Sequence, residues 1–227
     1  MSDSGLAARL TDIRSEILRR QRVGGVTHPV RVVAVTKGHG ADAVRAAVAA
    51  GLNLVGENRV QEALSKQAEC ADIPVQWHLI GTLQRNKVRG IMGRFALIHS
   101  VDRIDVALEL DRRSGPGAVQ RILVQVNCSG ETQKGGVEPD KLAALLDSLR
   151  ALQRLDVRGL MTMAAFTDDE RDQRRAFGRL RSLRDELQDQ GHALPELSMG
   201  MSGDYGVAVE EGATLVRLGT ILFGARD

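Results

Sequence analysis

Two cysteines in 227 residues, Cys70 and Cys128, are too few to frame a chain of this length with disulfides. They form no C-x-x-C pair. His28, His39, His78, His99 and His192 are scattered around them, which argues against a zinc site. Charge of one sign is also missing: 31 Lys and Arg stand against 29 Asp and Glu, a formal net charge of +2. That balance argues against a dedicated nucleic-acid binder, although the pI is about 8.7. The six arginines within 168–186 are matched there by six acidic residues, which describes a solvated helix face and not a nucleic-acid stripe. No apolar run approaches the roughly 18 residues of a membrane span. Met1 to Arg22 alternates charged with apolar residues and lacks the apolar centre of a signal peptide. The expectation is a cytoplasmic protein with free thiols, no membrane and no nucleic-acid partner. Lysine is the scarcest charge, five against 26 arginines, so a lysine in an unusual setting is informative.

What is present reads as one α/β chain. Hydrophobic residues make up 43% and charged residues 26%, as in an ordinary globular protein. Leu6, Leu10, Ile13 and Ile17 recur at helical spacing over 5–22, and Gly24-Gly25 closes that helix. Residues 1–25 thus form an N-terminal helix and connector. Short β-branched or apolar runs then alternate with helical stretches. Strands are expected at 30–36, 52–55, 75–80, 95–100, 121–126, 157–161, 196–199 and 215–218. Helices are expected at 41–50, 57–71, 82–92, 102–113, 139–152, 169–190 and 203–212. Eight strands in a chain near the typical barrel length, with no linker, predict a single (β/α)8 TIM-type barrel over 1–227 with an extra N-terminal helix. A doubly wound open sheet is the alternative.

Lys37 directly follows the run Val32-Val-Ala-Val-Thr36. In a barrel, the C-terminal end of a strand faces the active-site mouth. A lysine there is partly desolvated and suited to Schiff-base chemistry; a solvated strand-end lysine is the plainer reading. Residues 198–204, Ser-Met-Gly-Met-Ser-Gly-Asp, follow the seventh expected strand and open a helix, offering backbone N–H groups and the Ser202 hydroxyl. Arg217-Leu-Gly-Thr220 makes a second donor-rich turn after the eighth. Loops after strands 7 and 8 frequently hold phosphate in this fold, while helix capping and a glycine turn account for the same residues structurally. A lysine amine opposite a phosphate cradle admits a sugar phosphate in an aldol reaction or pyridoxal 5′-phosphate.

Several stretches carry a resemblance. They are Val33-Ala-Val-Thr-Lys37, Gly56-Glu-Asn-Arg-Val-Gln-Glu62, Trp77-His-Leu-Ile-Gly-Thr-Leu-Gln-Arg-Asn-Lys87 and Ser100-Val-Asp102. Arg158-Gly-Leu-Met161, Leu197-Ser-Met-Gly-Met-Ser202 with Asp204, Val216-Arg-Leu-Gly-Thr220 and Phe223-Gly-Ala-Arg226 complete the set. From about residue 30 to the C-terminus the sequence resembles the pyridoxal-phosphate homeostasis proteins, a family similar to the N-terminal barrel of alanine racemase. The resemblance implies that Lys37 holds the cofactor as an internal aldimine. It further implies that Ser202, Gly219 and Thr220 bind the phosphate with backbone near Met201, that Arg217 faces the pyridine nitrogen, and that Asn58 lies beside the ring. It implies a role in vitamin B6 and amino-acid homeostasis without strong turnover, with apo forms of pyridoxal-phosphate enzymes as partners. A slow racemase-like enzyme is the alternative.

An arginine at the pyridine nitrogen donates a hydrogen bond without protonating the ring, so carbanion chemistry is poorly assisted. Alanine racemase takes a second base from a tyrosine of a separate domain. This chain ends at Asp227, and its one tyrosine, Tyr205, is expected in the first turn of a helix. Lacking that second domain, a monomer is expected. The chain departs from the family in Gly38-His39-Gly40, which predicts a looser loop and a His39 near the site, and in Cys128, expected to pack in the barrel mouth. Trp77 and His78 are expected as a buried aromatic and a satisfied core histidine. Gln84, Asn86 and Lys87 are expected to shape the mouth and not to perform chemistry.

Overall fold

The helical spacing of the N-terminus becomes helix α1, Asp3–Gly24, with Leu6, Leu10, Ile13 and Ile17 all buried on one face. Each such side chain contributes about 2 kcal/mol by leaving water. The structure, a computed structural model, describes residues 3–131 and 135–224. After α1 the chain alternates strand and helix: β1 Arg31–Val35, α2 Ala41–Ala49, β2 Leu54–Glu57, α3 Val60–Glu69, β3 Gln76–Leu79, a 3-10 helix Arg85–Gly90, and β4 Leu97–Val101. Next come α4 Ile104–Arg113, β5 Gln120–Gln125, a 3-10 helix Pro139–Lys141, α5 Leu142–Arg150, β6 Leu155–Met161 and α6 Glu170–Asp189. The chain finishes with β7 Glu196–Ser198, α7 Tyr205–Glu210, β8 Leu215–Leu218 and α8 Thr220–Phe223.

The strands pair in parallel and in sequence order, and β8 closes onto β1. The closed barrel excludes the open-sheet alternative. The period-two geometry of a strand sorts the side chains into two cores. Val33, Leu54, Leu97, Leu123, Met161 and Leu215 cluster inside the barrel. Their neighbours Val32, Val55, Ile98, Ile122, Leu160 and Val216 join the outer core against the helices. This two-sided burial is why the strands read as continuous apolar runs.

Helix α1 packs on α7 and α8. Arg20 bonds Glu210 at 2.6 Å, Arg9 Nε donates to the Leu222 carbonyl at 2.8 Å, and a side chain at Gly24 would meet Glu210 O at 2.4 Å. No helix among the described residues is long and apolar enough to cross a membrane.

Three expected helices come out differently. Residues 82–92 form a turn and a 3-10 helix, because the buried anchors Val88 and Ile91 lie three apart and Gly90 and Gly93 weaken an α-helix. The 139–152 stretch divides into its 3-10 turn and α5. The 203–212 helix shortens to six residues, with Asp204 outside it at φ −134° and Gly203 before it. Arg226 of the resemblance motifs lies outside the described residues.

Candidate functional site

The C-terminal ends of β1, β2, β7 and β8 bring the sequence-singled residues to one end of the barrel. Lys37 is half-buried in the turn that leaves β1. His39 N bonds Thr36 O at 3.0 Å, and Gly38 holds φ at +77°, the left-handed value that the third position of a type II turn requires. The glycine-rich run after Lys37 is therefore a closed turn. Its His39 ring sits 5.5 Å from the Phe223 ring in α8, so the turn leans on the segment that begins with Thr220.

Ser202 does not open α7. Its Oγ instead accepts from Gly219 N at 3.4 Å and Ile221 N at 3.3 Å, capping α8 and joining the turn after β7 to the turn after β8. Both bonds are long for N–H···O, so these donors are only loosely held. Gly219 lies against the end of β1, where an added Cβ would meet Val35 O at 3.2 Å. That approach sets the β8 turn beside the strand that carries Lys37. Met201 is 36% exposed; its amide donates to Asp204 Oδ1, and its carbonyl receives Tyr205 N at 2.8 Å. Thr220 is exposed. Tyr205 is the first residue of α7 and half-buried, as expected.

Asn58, exposed just past β2, is placed by the close approach of Gly81. A Cβ on Gly81 would lie 2.1 Å from Asn58 O, and Ser100 Oγ donates to Gly81 O at 2.6 Å. This explains both the glycine in the W-H-x-I-G stretch and the serine of Ser100-Val-Asp102. In the Arg158-Gly-Leu-Met161 stretch, Gly159 sits at φ +151° with Glu196 O 1.9 Å from a would-be Cβ, so β6 and β7 approach as only glycine permits.

Arg217, 4% exposed, points into the barrel. Its Nη1 donates to Ser198 Oγ at 2.6 Å and its Nη2 to Thr162 O at 2.9 Å. Ser198 Oγ lies 2.9 Å from His99 Nδ1, and His99 Nε2 lies 2.9 Å from His78 Nδ1. A guanidinium can only donate. The assignment that leaves no hydroxyl proton idle runs from Arg217 to Ser198, then to His99, then to His78. Burial pushes the arginine down to about 10, against the pull of Asp204, and leaves it protonated at neutral pH. Burial likewise pushes His78 down to about 4 and His99 well below the usual histidine range, so both rings are neutral. His78 is thus the satisfied core histidine expected, and Trp77 beside it is buried. Cys128 is buried, as expected, and burial pushes its thiol up to about 11.

Sequence reasoning missed His99 and Ser198, whose partners lie 21 and 19 residues away or more. It also missed a cluster below the Lys37 turn: Lys66, 5% exposed, between Glu57 and Glu62. The scarcity of lysine was a signal that applied to Lys66 as well as to Lys37. Burial raises the Glu57 carboxyl, opposed by the Lys66 and Thr36 hydrogen bonds, and its Oε2 has no partner among the described residues. An open groove of about 640 Å³ lies at the opposite barrel end, lined by Arg14, Leu18, Gln21, Leu52 and Gln76. In this fold that end supports stability, and chemistry sits at the other.

The model of the alanine racemase N-terminal domain matches residues 11–227. A pyridoxal phosphate homeostasis protein of Pseudomonas aeruginosa is 47% identical over 208 residues, 91% of this chain and 89% of that one. Its counterpart in Aquifex aeolicus is 45% identical over 208 residues, 91% of both chains. Among solved structures, PipY of Synechococcus elongatus with PLP bound superposes with a TM-score of 0.84 at 41% identity, covering 96% of this chain and all of that one. Alanine racemase of Clostridium difficile, at 14% identity and a TM-score of 0.76, covers 97% of this chain and 55% of its own, and shares the fold. By the family model's match over residues 11–227 and the two relatives at 45% and 47% identity, the chain belongs to the alanine racemase N-terminal domain family, among its pyridoxal phosphate homeostasis proteins.

Proposed function

We propose that this protein binds pyridoxal 5′-phosphate at the C-terminal mouth of the barrel and carries it for vitamin B6 and amino-acid homeostasis. The observation that carries this reading is the juxtaposition of the Lys37 turn with two donor-rich turns, bridged by Ser202 and pressed against β1 through Gly219. The residues present suit such a ligand. Gly219 N and Ile221 N are weakly committed to Ser202 Oγ and are free to turn to a phosphate, together with the Ser202 and Thr220 hydroxyls and backbone near Met201. The relatives in Pseudomonas and Aquifex bear the name pyridoxal phosphate homeostasis protein, and the Synechococcus relative has PLP bound, which supports the same choice over a sugar phosphate.

Bound pyridoxal phosphate supplies an aldehyde that condenses reversibly with a primary amine, releasing water. In this reading Lys37 supplies that amine, and Asn58 lies beside the ring. Arg217, held by Ser198 and Thr162 through two of its five donors, would donate to the ring nitrogen and withhold a proton from it, because it stays charged at neutral pH. That arrangement holds the cofactor and gives weak support to carbanion chemistry, so we favour a carrier that acts in the cytoplasm as a monomer and delivers cofactor to apo forms of pyridoxal-phosphate enzymes.

Borohydride reduction after incubation with the cofactor, followed by peptide mapping, tests the site: the pyridoxyl group belongs on Lys37, and its absence there overturns the reading. Exchange of amino-acid α-protons, followed by NMR, separates carrier from enzyme. Enzyme-like exchange that vanishes in Lys37→Ala establishes the racemase-like alternative.

A further inference from the structure

Lys66 is one of five lysines in the chain and the most deeply buried of those described here, yet neither the motifs nor the proposed site use it. An ammonium has three donors. All three of this one are taken: Thr36 O at 2.7 Å, Glu57 Oε1 at 2.7 Å and Glu62 Oε1 at 2.8 Å. Each of those two carboxylate oxygens also receives a second bond from the turn that leaves β1. Thr36 Oγ1 donates to Glu57 Oε1, and Gly38 N donates to Glu62 Oε1 at 2.7 Å. The residue before Lys37 is thus held at its carbonyl and its hydroxyl, and the residue after Lys37 at its amide. None of these bonds uses the Lys37 side chain. A buried ion pair adds little net stability over apolar residues of the same size; here its bonds tie the backbone on both sides of Lys37.

We propose that Glu57, Lys66 and Glu62 form a positioning clamp that fixes the backbone on both sides of Lys37 and so sets where its amine meets the cofactor aldehyde. The inference rests on the reading of Lys37 as the cofactor-holding residue. The clamp acts through the turn and touches no part of the ligand. It therefore governs covalent capture at Lys37 and leaves non-covalent recognition of the phosphate and ring unchanged.

The test compares pyridoxal phosphate with pyridoxamine phosphate, which has the same ring and phosphate but no aldehyde. Glu62 is partly exposed, so Glu62→Ala removes the tie to Gly38 without emptying a core position. In Glu62→Ala the rate of borohydride-fixed labelling at Lys37 falls about tenfold, while the affinity for pyridoxamine phosphate stays within about twofold of the parent. In Glu62→Gln, whose amide oxygen still accepts from Gly38 N and Lys66, the labelling rate recovers to within about threefold. Lys66→Met, where it folds, shows the larger loss of labelling. Unchanged labelling in Glu62→Ala overturns the clamp. A parallel loss of pyridoxamine phosphate affinity, or a Glu62→Gln as slow as Glu62→Ala, overturns it equally. Failure to label Lys37 in the parent protein overturns the underlying functional reading instead.

Discussion

Arg217 Nη1 stands 2.6 Å from Ser198 Oγ at the inner end of a buried chain that continues through His99 to His78 and crosses the barrel from β8 to β3. In the assignment that leaves no hydroxyl proton idle, the guanidinium donates to the serine, the serine to His99, and His99 to His78.

Ser198→Ala removes the relay and leaves an Arg217 donor and a His99 nitrogen buried without partners. An unpaired buried polar group costs about 1–3 kcal/mol, and more when charged. The variant should lose about 3 kcal/mol in urea unfolding and bind pyridoxal phosphate less tightly, because Arg217 is no longer held in place. Unchanged stability would remove the relay from the account.

Acid should destabilise the fold before its carboxylates titrate. The folded pKa of His78 is depressed to about 4 from an unfolded value near 6.5, and His99 is depressed in the same direction. Below pH 6.5 the unfolded chain binds protons that the folded chain refuses. Stability is therefore intact above that pH, falls as pH drops through it, and stops falling on this account near the folded pKa. For His78 alone the loss amounts to about 3 kcal/mol between pH 6.5 and 4. Urea midpoints across that range show the slope, and His78→Gln reduces it, leaving the share that His99 contributes.

Ser202→Ala tests the bridge between the two turns. Losing the cap of α8 costs about 1 kcal/mol in unfolding. Losing a hydroxyl donor to a phosphate weakens pyridoxal phosphate binding by about tenfold or more. A variant with the expected thermal shift and full affinity would move the phosphate elsewhere.

Gly81→Ala tests how Asn58 is placed. The added methyl would sit 2.1 Å from Asn58 O, backbone that cannot rotate away. Overpacking of this kind costs about 3 kcal/mol. Binding should weaken together with stability, since Asn58 must move; calorimetry reads both.

Much of the architecture was legible because its signals are local. The apolar positions 6, 10, 13 and 17 define α1 from spacing alone, and strand runs such as Val32-Val-Ala-Val reflect burial on both faces. The strand-end lysine and the donor-rich stretches after β7 and β8 were legible too, because turns and caps are encoded in neighbouring residues. The 3-10 helix at Arg85–Gly90 and the shortened α7 were not, because glycines and tertiary anchors there outweigh helical patterning.

By itself the sequence determined the order of strands and helices, the kind of end at which Lys37 stands, and the donor-rich character of the turns. The tertiary structure decided which of these groups touch. Only closure of β8 onto β1 presses Gly219 against Val35. Only folding carries Ser202 away from its own helix to cap α8, links Arg217 to histidines on distant strands, and buries Lys66 under the Lys37 turn. Those contacts join residues that lie far apart along the chain, and their bonds exist only once the barrel has excluded water from them.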